Sequence, residues 1–148
     1  MKNSFWYVIG LAGLLALGSL AEATEWLQYD TSSRRTLFYD ASSIRRPSKD
    51  LVTVWKKNEW SQEGVDQQIA LRRKHGLSTT GYENFRYSME LHQINCSTRK
   101  YQINKVAYYG NDDKILDTYD FERGWEIIPP DSAEEDLYNR VCKQKGKQ

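Results

Sequence analysis

Short segments of alternating apolar and polar residues recur along this chain and restrict it to a protein built mainly from β-strands. Strand patterns occupy residues 26–29, 37–39, 51–60, 84–96, 100–109 and 115–121. The last two flank Gly110-Asn111-Asp112-Asp113, residues that favour turn conformations and so predict a β-hairpin. The sequence therefore predicts a mainly antiparallel sheet of about six strands.

Two of these segments show a change in pattern along their length. In 51–60 the alternation indicates burial on both faces at the start and a solvated face after Lys56. In 84–96 the apolar positions change parity between Leu91 and Ile94. A β-bulge near Gln93 would reconcile the two parities, and we expect one there.

A middle segment has the spacing of a helix, with recurring positions at Val65, Ile69 and Arg72 or Arg73. Gly76 stands where a helix commonly ends, so we expect a helix over residues 64–75. A second helix is predicted near the C-terminus, where Ser132 and Glu135 form a capping box. The fold class is therefore α+β, an antiparallel sheet packed by a middle helix and a C-terminal helix.

The N-terminus has the layout of a secretory signal peptide. Lys2 precedes an apolar run over 5–20, which is followed by the small-residue site Ala21-Glu22-Ala23. We expect cleavage after Ala23, so that removal of 23 of the 148 residues leaves a single domain over 24–148. The alternative is an uncleaved membrane anchor, because the run approaches the roughly 20 residues that span a bilayer.

The expected compartment follows from this segment. The mature protein would lie in the periplasm or cell envelope, or outside the cell, with no membrane span after cleavage. Since no cysteine lies near the cleavage point, we expect no lipid anchor.

Two cysteines, Cys96 and Cys142, occur in the predicted domain. An exported chain meets an oxidising compartment in which an even pair usually closes, so a disulfide is the simplest assignment. A redox pair or a metal site would need closer spacing, such as Cys-x-x-Cys, which is absent from the sequence. The bridge would hold the C-terminal helix against the end of a strand.

Charge is nearly balanced over the whole sequence, with 21 basic and 20 acidic side chains. Such a balance supplies no overall field for nucleic acid. The densest local feature is the basic cluster Arg72, Arg73 and Lys74. It is either a solvated helix face or, together with neighbouring aromatic residues, a surface for an acidic protein or polysaccharide.

Motifs of catalysis are absent from the sequence. It contains two histidines and has no Gly-x-Ser-x-Gly elbow, no phosphate-binding glycine loop and no His-Glu-x-x-His. We therefore expect a non-catalytic protein with no cofactor and no metal site.

Four segments together resemble the surface-adhesin protein E family of Gram-negative bacteria. They are YDTSSRRTLFYDASSIRR, VTVWKK, YSMELHQINCSTRKYQI and WEIIPPDSAEEDLYNRVC, in that order. The resemblance implies an antiparallel sheet packed by helices and a function in adhesion to host matrix proteins. The namesake adhesins are lipid-anchored, whereas this sequence has no cysteine near the predicted cleavage point.

The function expected from these features is that of an exported, non-catalytic envelope protein, an adhesin-like binding module. The alternatives are a structural or accessory periplasmic protein without a ligand of its own and, third, an enzyme. An enzyme would require a concave pocket that holds an acid or histidine with a perturbed pKa.

The signal peptide yields the first testable prediction. Because the Ala21-Glu22-Ala23 site follows the apolar run directly, the mature protein should begin at Thr24. N-terminal mass spectrometry of protein from envelope fractions measures this directly. Recovery of the chain with residues 1–23 intact would show an anchor instead.

Overall fold

Neighbouring strands of the sheet are also neighbours in the sequence. A computed structural model describes residues 23–121 and 124–143, so nearly all of the predicted signal peptide lies outside the described residues. The strands are β1 (Trp26–Thr31), β2 (Arg35–Asp40), β3 (Leu51–Trp60), β4 (Phe85–Asn95), β5 (Lys100–Gly110) and β6 (Ile115–Asp120). They lie side by side in this order, and every pair is antiparallel.

A short seventh strand, β7 (Glu126–Ile127), pairs with the start of β5. The turn predicted between the last two long strands joins β5 to β6, and Asp113 has a φ of 58° there. The amide of Gly110 donates to the carbonyl of Lys114 over 2.9 Å and closes the hairpin. The mainly antiparallel α+β fold is therefore confirmed.

Both predicted helices are present. The middle helix, α1 (Gln62–Lys74), begins after Ser61, whose hydroxyl accepts a hydrogen bond from the amide of Gly64. It ends at Lys74, and Gly76, just after the cap residue His75, has a φ of 67°, a conformation that favours glycine. Gly64 presses on the β1–β2 turn, because a Cβ there would lie 2.2 Å from the carbonyl oxygen of Arg34.

The C-terminal helix is α2 (Ala133–Cys142). The hydroxyl of Ser132 accepts from the amide of Glu135, and the carboxylate of Glu135 accepts from the amide of Asp131 over 2.9 Å. The hydroxyl of Ser132 thus satisfies one amide of the first turn, while Glu135 reaches back to the amide of the residue before the cap. Neither helix of the described part is long and apolar enough to cross a membrane.

The two helices pack on the same face of the sheet but over different parts of it. Leu137, Tyr138 and Val141 of α2 pack against Val52, Val54 and Ile94. Val65 of α1 packs with Tyr82, Phe85 and Tyr108 near the other end of the strands. The covered face therefore holds two apolar clusters rather than one.

The β-bulges between β4 and β5 lie at other positions than the bulge expected near Gln93. In the β4–β5 pairing the register shifts at Arg86 in β4 and at Asn104 in β5, while β4 continues without interruption through Gln93. The bulge at Arg86 brings Phe85 onto the covered face together with Ser88. From Ser88 to Ile94 every second residue of β4 then faces the helices.

The predicted disulfide between Cys96 and Cys142 is confirmed. It joins the residue that follows β4 to the last residue of α2, and Tyr138 supports it by donating a hydrogen bond to the carbonyl of Cys96 over 3.0 Å. The bridge therefore fixes α2 to the end of a central strand.

Removal of this bridge gives the second prediction. The chain-entropy model assigns roughly 4 kcal/mol to closure of a loop of this length, whose ends lie 46 residues apart. Cys96→Ser combined with Cys142→Ser should lower the free energy of unfolding by about 2–5 kcal/mol, as measured by urea denaturation. The reduced wild-type protein should lose a similar amount, and an unchanged midpoint in both samples would contradict the stabilising role.

Candidate functional site

The predicted basic cluster lies beside a cavity at the C-terminal end of α1. The cavity has a volume of about 250 Å³ and lies between α1 and the strands β5 and β6. Its lining includes Leu71, Arg72, Leu77, Tyr108, Tyr119 and Phe121. Two of these apolar side chains are well exposed, Leu71 at 41% and Leu77 at 46%. We call this space the outer cavity.

Arg72 forms part of the cavity wall and is largely buried. Its Nη2 lies 2.9 Å from a carboxylate oxygen of Asp117, and its Nε donates to the carbonyl of Ser78 over 2.7 Å. The guanidinium also lies over the ring of Tyr82, 3.9 Å from the ring centroid. The charge of Arg72 is therefore paired with that of Asp117 inside the fold.

Arg73 and Lys74 are placed differently from Arg72. Both side chains are exposed at the end of α1, and within the part of the chain that the structure describes neither forms an ion pair. Arg72 thus lies in the wall of the outer cavity, whereas Arg73 and Lys74 do not line it. They lie exposed at the end of α1, between the lining residues Arg72 and His75 in sequence, and we call this end of the helix the rim.

Aromatic rings from two strands form the opposite wall. Tyr108 and Tyr119 meet edge to face with centroids 6.0 Å apart, and Phe121 lies 6.0 Å beyond Tyr119. The β5–β6 register explains their proximity, because Tyr108 is paired with Asp117 and Val106 with Tyr119. Arg72 and these aromatic residues, which are far apart in the sequence, therefore line one cavity.

A band of polar side chains crosses the covered face between the two apolar clusters. The register places Lys56 opposite Glu90 and Asn58 opposite Ser88, and His92 lies opposite Val54. All but Glu90 are at most 2% exposed. We call these five residues the polar band.

The carboxylate of Glu90 contacts three other members of the polar band. Its Oε2 lies 2.8 Å from Nε2 of His92 and 3.4 Å from Nζ of Lys56, and its Oε1 accepts from Asn58 over 2.7 Å. Lys56 is shared with a second carboxylate, because its Nζ also lies 3.5 Å from Oε1 of Glu134 at the start of α2. One ammonium group therefore serves two carboxylates.

The protonation states in this band follow from burial and charge. Burial alone would raise the pKa of Glu90, but the charge of Lys56 and the hydrogen bonds from His92 and Asn58 outweigh it and lower that pKa strongly. Burial, with Lys56 nearby, lowers the pKa of His92 against the opposing effect of Glu90. At neutral pH Glu90 is thus ionised and His92 neutral, with the proton on Nε2.

A second cavity opens onto this carboxylate. It has a volume of about 150 Å³ and is lined by Glu90, Ile103, Val106, Tyr108 and Phe121. Because Tyr108 and Phe121 also line the outer cavity, the two spaces meet at these rings. We call the second space the inner cavity.

The sequence analysis missed the polar band. It expected one solvated face on β3 after Lys56 but did not identify the other face, on which Lys56 and Asn58 are buried, as a polar one. A signal was present, since both residues are in phase with Val52 and Val54. On β4, the even positions of Glu90 and His92 match that of Ile94 in the same way.

The inner cavity holds one feature that an enzyme would need, the acid Glu90 with a strongly lowered pKa, but the neighbouring hydroxyl is not activated. The hydroxyl of Ser88 accepts hydrogen bonds from Asn58 and Trp60, neither of which is a general base. Over residues 23–121 and 124–143, no three His, Cys, Asp or Glu side chains are grouped to hold a metal ion. The structure shows two cavities, one with Arg72 and the other with Glu90 in its wall.

The contrast between Arg72 and Arg73 gives the third prediction. Arg72→Gln should lower the free energy of unfolding by about 2–4 kcal/mol, because it removes a mostly buried charge from Asp117. Arg73→Gln, at the next and exposed position, should change it by no more than about 0.5 kcal/mol. Urea denaturation of both variants tests this, and equal stabilities would contradict the buried role of Arg72.

Comparison with protein families matches residues 26–143 to the family described as surface-adhesin protein E. Comparisons with curated proteins and with solved structures found no match. The match begins at the first residue of β1 and ends just after α2, so it covers the whole sheet, both helices and the disulfide. This chain belongs to the surface-adhesin protein E family.

Proposed function

We propose that this protein is an exported, non-catalytic binding module of the cell envelope, formed by residues 24–148 after removal of the signal peptide. Family membership supports an adhesin-like surface protein. The closed disulfide supports export, because such bridges persist in oxidising compartments. The partner is an acidic protein of the envelope or the extracellular space.

The observation that carries this proposal is the composition of the outer cavity and its rim. Leu71 and Leu77 are exposed beside a concave aromatic wall, and Arg73 and Lys74 stand at the end of the same helix. Apolar side chains that surround a pocket, with charges at its edge, are typical of binding interfaces. A partner segment with an apolar side chain between carboxylates would match both the apolar pocket and the basic side chains.

A protein fits this cavity better than a polysaccharide. The cavity of about 250 Å³ is lined by two leucines and three aromatic side chains, besides Gln68, Arg72 and His75, and this apolar share favours an apolar side chain. The two rim cations add attraction that depends on salt concentration. An acidic polysaccharide would use the cations but leave Leu71 and Leu77 uncovered.

The fourth prediction tests this surface with a defined probe. An acidic pentapeptide with a central phenylalanine should bind the protein purified from the cell envelope, and replacement of the phenylalanine by serine should abolish binding. Arg73→Glu combined with Lys74→Glu should weaken binding by about tenfold at low salt, as measured by fluorescence anisotropy. The loss should shrink in high salt.

The matched control reverses two other exposed charges, Lys49→Glu and Arg140→Glu. This variant has the same net charge as the test variant and should bind the peptide as the wild type does. Equal losses in both variants would show a general charge effect and contradict the proposed surface. Binding of an acidic polysaccharide that is independent of Leu71→Ala would also contradict it.

A further inference from the structure

The charges around the polar band do not balance. Lys56 supplies one positive charge, while Glu90 and Glu134 both lie within 3.5 Å of its Nζ and supply two negative ones. The N-terminal end of α2 offsets about half a charge near Glu134, which is in the first turn of that helix. The cluster therefore remains negative in a place with little access to water.

Tyrosine side chains around the cluster respond to this negative charge. Burial and the nearby Glu134 and Glu126 raise the pKa of Tyr101 to about 12. Burial and then Glu90 raise the pKa of Tyr108, which lines the inner cavity. The field of the carboxylates thus extends to the cavity wall.

Glu90 has acceptor capacity left at the inner cavity. An ionised carboxylate offers about four lone-pair sites, and from the described residues Oε1 accepts a single hydrogen bond, the one from Asn58. The side chain of Glu90 is 14% exposed, and it lines the cavity. A donor that enters the cavity can therefore reach an oxygen already fixed in position.

The remaining lining of the inner cavity suits an alkyl chain and a cation. Ile103 and Val106 offer apolar surface, and Tyr108 and Phe121 offer aromatic rings. Aromatic faces attract ammonium ions, most strongly where water is excluded. An engineered cavity of about 150 Å³ holds benzene, so the volume of about 150 Å³ suits a ligand of about six non-hydrogen atoms.

We propose that the inner cavity binds a small primary alkylammonium group, with the ammonium on Glu90 and the alkyl chain against Ile103 and Val106. This site is independent of the acidic partner proposed for the outer cavity. The inner cavity should bind a cation, whereas the outer cavity is proposed to bind an acidic partner. The reason is that the wall of the inner cavity carries an ionised carboxylate. An anion or a neutral alcohol would leave unbalanced the excess negative charge of Glu90 and Glu134 over Lys56.

Two sources can supply such a group, a free amine or a lysine side chain of another protein. Both carry the same ammonium, but only the free amine can enter without a peptide backbone. The probes n-butylammonium and Nα-acetyl-lysine methylamide represent the two sources. The alcohol 1-pentanol serves as the uncharged control, and it is a stringent one because it is one methylene longer than n-butylammonium and therefore more apolar.

The fifth prediction is tested by titration of the full mature protein with these probes, followed by NMR of the Val106 and Ile103 methyl groups. At least one ammonium probe should bind, and at least about tenfold more tightly than 1-pentanol. Binding of butylammonium alone would assign a free amine, and binding of both would assign a lysine side chain as well. Equal binding of the alcohol and both amines, or no binding, would overturn the proposal.

Two variants distinguish the effect of the carboxylate charge on binding from the effect of lost stability. Glu90→Gln keeps the side-chain shape and should reduce ammonium binding by at least about tenfold. Because this change leaves Lys56 with fewer partners and can destabilise the protein, Phe121→Leu removes a cavity ring without altering the polar band. It should weaken binding by about fivefold while leaving 1-pentanol affinity unchanged within about twofold.

Leu71→Ala, in the outer cavity, is the matched control and should leave ammonium binding unaltered. It should instead weaken binding of the acidic peptide. Failure of one proposal is therefore distinguishable from failure of the other. Ammonium binding that survives both Glu90→Gln and Phe121→Leu would place it outside the inner cavity and overturn the assignment.

Discussion

The pairing of Lys56 with Glu90 across β3 and β4 is the interaction on which the arrangement of both cavities depends. A one-residue change of register would turn both side chains to the other face of the sheet. In the observed register they lie in the middle of the covered face and divide its apolar residues into two clusters. Each helix packs on one cluster, and the inner cavity lies where Glu90 borders the gap.

Local signals in the sequence were sufficient to predict the elements of this fold. Alternation gave the strands, turn residues gave the hairpin at Gly110, and the capping box at Ser132 gave the start of α2. The positions of the bulges were not predictable from one strand alone. Arg86 and Asn104 interrupt the ladder because of how β4 meets β5, and that pairing depends on residues of both strands.

The candidate site shows the same division between local and long-range information. Helical spacing placed Arg72 or Arg73 in line with Val65 and Ile69, and the structure shows that Arg72 is the buried one. Its partner Asp117 lies 45 residues further along the chain, so only the sheet topology brings the two together. Arg73 and Lys74 follow directly in sequence but stay exposed, because adjacent helical residues point in different directions.

The polar band supplies buried charge to this fold rather than stability. Replacing a buried ion pair by packed apolar residues is often neutral or stabilising by about 1–4 kcal/mol. Apolar side chains in place of Lys56 and Glu90 would also join the two clusters into one core. What the observed residues supply instead is an ionised carboxylate, held in place by Asn58 and His92. Tyr108 and Phe121 line both cavities, so these two rings lie between that carboxylate and the outer cavity, whose wall contains the paired Arg72.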